Sequence, residues 1–145
     1  METLKSTSIC IKKILETSQE EFYKKNGLDL NAAKYYSKEY NAFTCIRNFL
    51  DDFYHYKDNR QSIINEEPNP TGNNHFDAFL AALCEYLAYH YNLKLPDWAL
   101  MQNRFLKKWW FPNNYNFMIP TCLMQSPASF KRRGIFIDDS FFQRV

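Results

Sequence analysis

Apolar side chains recur at intervals of three and four over two long stretches of this chain. From about Asn31 to Tyr56, the positions Tyr36, Tyr40, Phe43, Ile46, Phe49, Leu50 and Phe53 follow that rhythm. It is the signature of a helix with one buried face. Some 26 residues of helix would span roughly 39 Å at about 1.5 Å per residue, long for a small domain, which leaves room for a bend. From about Asn74 to Asn92 the pattern repeats with Phe76, Phe79, Leu80, Leu83, Leu87 and Tyr91. There Ala78, Ala81, Ala82 and Ala88 lie between the large residues and allow neighbouring helices to approach closely.

A third stripe, Ile11, Ile14 and Leu15, predicts a helix from about Thr7 to Gly27. Ser18 and Glu21 have the spacing of a capping box, which would mark a break within it, and Gly27 suits its C-terminus. Between the two long helices, "KDNRQSIINEEPNPTGN" at 57–73 carries two Pro, a Gly and several Asn and Asp. This is turn chemistry, so the segment reads as a loop outside the core, either a hinge or a surface excursion.

Beyond the second long helix the elements shorten. "LPDWA" starts a turn of helix at Pro96, "RFLKKWWFP" ends at Pro112, and "NNYNFMIPTCLMQ" reads as irregular and then helical. In "SPASFKRRGIFID", Ser126 suits an N-cap, Pro127 the first helical position and Gly134 the residue past the end. The cations Lys131, Arg132 and Arg133 then fall in the last turn, where they complement the helix dipole. "GIFID" is short, apolar and compatible with extended backbone. The pattern predicts a mainly α-helical fold: one domain over residues 1–145 with four to six helices and at most a short extended segment near residues 134–138. Within it, an aromatic helical half (1–57) and a second half (74–145) flank the loop at 58–73.

Composition changes this picture in two respects. Thirteen Phe, ten Tyr and three Trp stand against three Gly, so a few helices have ample aromatic area to bury, and a glycine-rich phosphate loop is excluded. Charge is asymmetric. Up to Ala99 there are eleven Lys or Arg against fourteen Asp or Glu, net −3; from Leu100 onward there are seven against two, net +5. That suits an anionic partner for the C-terminal third, or docking of that third onto the acidic remainder. Cys10, Cys45, Cys84 and Cys122 show no CxxC spacing. With no signal-like apolar run in "METLKSTSICIKK" and no stretch of about 20 apolar residues, they read as four reduced thiols in a cytoplasmic protein without membrane contact.

Candidate chemistry is sparse. HExxH, GxSxG, P-loop and GxGxxG signatures are absent, so no catalytic residue, metal ligand or cofactor is assigned. Asp51 with His55, and His75 with Asp77, are the acid–base candidates of a hydrolase or nuclease reading, which requires at least two of them in one pocket. A cysteine nucleophile stays open, because sequence does not show which groups meet in space. "RFLKKWWF" is more suggestive. Arg104, Lys107 and Lys108 beside Trp109 and Trp110 combine phosphate contacts with stacking surfaces, as single-strand binders require. The alternative is that Phe105, Leu106, Trp109 and Phe111 fill the core while the lysines face water. Convergence of Lys107, Lys108, Lys131, Arg132 and Arg133 would make a basic patch for salt-sensitive, sequence-independent nucleic-acid binding.

The second half carries "FLAALCEYLAYHYNLKLPDWA", "RFLKKWWFP" and "SPASFKRRGIFID". These resemble an uncharacterised group of small bacterial proteins that have an "LAALAEYLA"-type helix, then "PxW", "RFL…WF" and "SPAxFRRRGIFI". Matching positions include Leu80 to Leu83, Glu85 to Ala88, Pro96, Trp98, Arg104 to Leu106, Trp110, Phe111, Ser126, Pro127, Phe130 and Arg132 to Ile137. The resemblance covers about residues 76–145. It implies association with helix-turn-helix regulators in toxin–antitoxin-like loci and brings no catalytic residues. An aromatic helical half stands here where such a regulator's DNA-reading domain would be.

The first reading is therefore a non-enzymatic, cytoplasmic protein-binding or regulatory module, a member of a toxin–antitoxin-like pair. Its contact surface would be Arg104, Lys107, Lys108, Trp109, Trp110, Lys131, Arg132 and Arg133, facing an acidic protein partner. Nucleic-acid binding through the same residues is the second reading and an unrecognised hydrolase or nuclease the third. Homodimerisation through surplus aromatics is left open.

Overall fold

The computed structural model describes residues 2–16, 38–112 and 116–142. It is a compact, mainly α-helical single domain. Its helices are α1 (Leu4–Glu16), α2 (Lys38–His55), α3 (Arg60–Asn65), α4 (Asn74–His90), α5 (Ile119–Gln125) and α6 (Ala128–Lys131). Short 3-10 turns fill much of the rest, at Asp97–Leu100 and Gln102–Arg104 among others. Beta structure among the described residues is one parallel bridge, Trp110 to Ile135. The extended segment expected near 134–138 is that bridge.

The central element is α4. Ten of its 17 residues are buried, so its apolar character wraps most of the circumference, as a helix surrounded by others requires. Asn73 caps it by accepting from the His75 amide at 2.8 Å. Phe76 and Phe79 meet Phe43 of α2 at ring centroid separations of 5.2 and 5.3 Å, and Phe79 meets Phe130 of α6 at 5.0 Å. The phenylalanine periodicity of α2 and α4 is thus the core itself.

Helix α1 lies along α2, burying Leu4, Thr7, Ser8 and Ile11. It starts three residues before the apolar stripe suggested. Thr3 Oγ1 accepts from the Ser6 amide at 3.1 Å, and Ser6 Oγ accepts from the Thr3 amide at 2.8 Å. This is the reciprocal logic of a capping box with a serine in place of glutamate. The capping box at Ser18 and Glu21, the helix end at Gly27, and the start of the second helix with Tyr36 lie outside the described residues. Contrary to the expectation of four thiols, Cys10 of α1 and Cys45 of α2 form a disulfide across 6.4 Å between Cα atoms. Cys84 and Cys122 are free and buried. Residues 35 apart in sequence meet because both face the α1–α2 seam, which spacing alone does not show.

The segment 57–73 also departs from its sequence reading. It contains α3, whose Ile63 and Ile64 are fully buried. The Ile64 carbonyl accepts from Trp98 Nε1 at 3.3 Å. Arg60 closes the end of α2, donating to the Phe53 carbonyl at 3.1 Å while lying over the Tyr91 ring at 4.4 Å. Asn69 donates its amide to Ser8 of α1. These contacts make the segment a strut between α1, α2 and the chain that follows α4. Its Pro, Asn and Gly residues turn the chain, and the two isoleucines between them anchor it.

Candidate functional site

The residues proposed from sequence lie on two pieces of chain that pack together, segment 102–112 and the end of α6. Their backbone is fixed by three hydrogen bonds: Leu106 to the Arg133 carbonyl (3.1 Å), Trp110 to the Gly134 carbonyl (2.8 Å) and Phe136 to the Trp110 carbonyl (3.0 Å). Gly134 has φ +81°, a left-handed turn that glycine adopts without strain. Its neighbours stand at ordinary contact distance from an added Cβ, so the requirement is conformational.

Extended backbone sends successive side chains to opposite faces, and the two tryptophans separate accordingly. Trp110 packs inward against Phe43, Phe76 and Phe79 and stacks on His75 at 4.5 Å and 14°. Trp109 turns outward and is 70% exposed, touching Phe136 at 4.9 Å. The sequence reading that placed Trp109 in the core is reversed, and Trp110, partly buried against the core, has one ring face taken by His75.

The cations also separate. Arg104 is 3% exposed and Arg133 0%, so neither belongs to a contact surface. Arg104 donates to the Asp77 and Pro68 carbonyls at 3.1 Å each, lies over Trp98 and has Glu67 at 3.7 Å. Arg133 donates to Glu85, to the Ser129 carbonyl at 2.9 Å and to the Ala99 carbonyl at 2.7 Å, with its guanidinium over the Phe105 ring at 4.6 Å. It thereby joins α4, α6 and the turn after Pro96. Burial, then the neighbouring Arg132 charge, lowers its pKa to about 10. Arg132 is half-exposed and pairs with the same Glu85. Of the eight residues nominated, Lys107, Lys108, Trp109 and Lys131 face solvent freely.

The "SPASFKRRG" stretch is therefore structural, with one correction. Pro127 takes the N-cap position of α6, because Ser126 is turned to the Ile135 carbonyl (3.0 Å) and the Ile137 amide (3.3 Å). The serine pins the following apolar segment instead of capping the helix.

Between the start of α4 and segment 102–108 lies an open cleft of about 650 Å³. Its polar walls are Asn74, Gln102, Asn103, Lys107 and Lys108, with His75 at the α4 end and Phe105 and Leu106 as apolar floor. No carboxylate lines it. The amides of Asn74, Gln102 and Asn103 were not singled out from the sequence. The two chain segments meet only in the fold, and isolated Asn and Gln carry no local signal.

The acid–base candidates do not gather. His75 lines the cleft while Asp51, His55 and Asp77 do not. His55 stands at the end of α2 against Tyr56. Asp77 accepts from the Thr71 amide and hydroxyl at 2.9 and 2.8 Å. Burial pushes the Cys84 thiol up to about 12 and raises Cys122 as well, the reverse of an activated nucleophile. Among the described residues no group of three or more His, Cys, Asp and Glu could hold a metal ion, and no helix is long and apolar enough to cross a membrane. Comparison with protein-family models, curated proteins and solved structures finds no match to this chain.

Proposed function

We propose that the protein is a binding module whose working surface is Trp109 with Lys107 and Lys108, and that its partner is a protein presenting acidic groups. The observation that carries this reading is the exposure of Trp109 on a backbone braced from both sides. A tryptophan held rigidly in water loses little further freedom on binding and offers a large area to bury, which is why Trp dominates interface hot spots. The flanking ammonium groups add attraction and orientation for an acidic partner. The sequence resemblance adds that this partner is the opposite member of a toxin–antitoxin-like pair.

The test is purification from the native host, with a photo-crosslinking residue at position 109. A stoichiometric protein crosslinked there, and lost from Trp109→Ala and from Lys107→Glu/Lys108→Glu, is the expected result. A partner retained by both variants would show that the surface lies elsewhere. Nucleic acid released by high salt would favour the second reading, now reduced to Lys107, Lys108 and Lys131 as freely exposed cations. Cytoplasmic residence is part of the same proposal, and thiol trapping in intact cells shows whether Cys10 and Cys45 are joined there.

A further inference from the structure

We propose that the cleft between the start of α4 and segment 102–108 is a binding site for a small phosphate-bearing molecule with an apolar or aromatic part. This goes beyond the partner-binding reading, because it requires neither Trp109 nor a protein partner. The cleft presents two ammonium groups, Lys107 and Lys108, and three primary amides, Asn74, Gln102 and Asn103. None of these five side chains has a hydrogen-bond or ion-pair partner among the described residues.

The lining itself holds two cations and no carboxylate. Asp77, one turn into α4, keeps its charge but is held by the Thr71 amide and hydroxyl outside the lining. Directly between two lining residues, Asn103 and Phe105, the chain carries the buried Arg104. Its closest carboxylate, Glu67, stands at 3.7 Å, and its Nε lacks a hydrogen-bond partner. Paired with Glu67 and bonded to the Asp77 and Pro68 carbonyls, Arg104 serves the interior and leaves Lys107 and Lys108 as the cations of the lining.

Unpaired donors lining one cleft with no carboxylate among them fit an oxyanion. A phosphate monoester, with three acceptor oxygens and a charge of about −1.5 to −2 near neutral pH, uses more of these donors than a carboxylate would. At about 650 Å³ the cleft falls within the usual range of small-molecule sites, about 300–1,000 Å³, and exceeds what phosphate alone would fill. Phe105 and Leu106 supply an apolar floor for the rest of the molecule. His75, pinned flat against Trp110, closes the other end.

Three probes test this by calorimetry and by the side-chain amide resonances of the folded protein: inorganic phosphate, phenyl phosphate, and a short 5′-phosphorylated single strand. Phenyl phosphate is expected to bind more tightly than inorganic phosphate and to shift the amides of Asn74, Gln102 and Asn103. Losing Lys107 and Lys108 to Ala should weaken it by roughly tenfold per charge-assisted bond removed, whereas Trp109→Ala leaves it unchanged. A strand that binds no better than phenyl phosphate assigns the phosphate to a free small molecule, and one that binds more tightly assigns it to a nucleic-acid end. The proposal is overturned by unmoved amide resonances at millimolar probe. It is equally overturned by wild-type affinity in the Lys107→Ala/Lys108→Ala variant. All altered side chains are exposed, so folding is not at issue. Trp109→Ala losing its protein partner while keeping phenyl phosphate separates this site from the partner surface.

Discussion

Adjacent arginines in one short turn should differ several-fold in their effect on stability. Arg133 is fully buried, makes three hydrogen bonds and covers a phenyl ring, whereas Arg132 has a half-exposed side chain with Glu85 as its ion-pair partner. Replacing Arg133 with Met keeps much of the volume. It leaves the Ala99 carbonyl without that donor and Glu85, whose side chain is 18% exposed, with the outer arginine alone. Removing one member of a buried pair costs about 3–5 kcal/mol, but an exposed pair contributes at most about 1 kcal/mol. Urea unfolding followed by far-ultraviolet circular dichroism should therefore place Arg133→Met about 3–5 kcal/mol below the wild type and Arg132→Met within about 1 kcal/mol. Should the inner variant fail to fold, Glu85→Gln provides a second measure. It weakens the pair without removing a large side chain and should cost more than Arg132→Met, because it loosens Arg133 as well. Equal effects at 132 and 133 would refute the reasoning and restore "KRR" as a solvent-facing cluster.

Three further outcomes follow from the same packing. Ile64→Ala should destabilise by about 2–5 kcal/mol, the range for truncating a fully buried aliphatic residue, as read by the same urea titration. A change under about 0.5 kcal/mol would return the segment to the status of a surface loop. Cys84 should resist iodoacetamide at pH 8 in the native state and react in denaturant, as mass spectrometry would show; rapid native labelling would contradict its burial. Its raised pKa also sets a pH dependence. Because the folded thiol holds its proton from about 9 to about 12 while the unfolded thiol loses it, stability is full below pH 9 and declines above it. The decline amounts to on the order of 1 kcal/mol between pH 9 and 10. The slope between pH 9 and 10 should be shallower in Cys84→Ala, and an unchanged slope would remove the thiol as its source.

The phenylalanine stripes of α2 and α4 were legible in the sequence because helical periodicity is a local property, and burying one face needs only that some partner exist. The fold class followed from them. Lys107, Lys108 and the aromatic pair beside them were also marked by composition. Other features escaped because they depend on pairings distant in sequence. Ile63 and Ile64 are two apolar residues inside turn chemistry, too few to register as a period, yet both are buried and the Ile64 carbonyl holds Trp98. Cys10 and Cys45 look unpaired until α1 lies along α2.

Arginine shows the division most clearly. The sequence by itself determined a mainly helical domain with an aromatic core, a basic C-terminal third and a tight glycine turn after "KRR". Only the tertiary structure decided that Arg104 and Arg133 serve the interior while Lys107, Lys108 and Trp109 stay exposed to solvent. A guanidinium is equally able to bridge buried carbonyls or bind an external anion. Which it does depends on whether a carbonyl, a carboxylate and a ring from elsewhere in the chain close around it, and no local pattern encodes that.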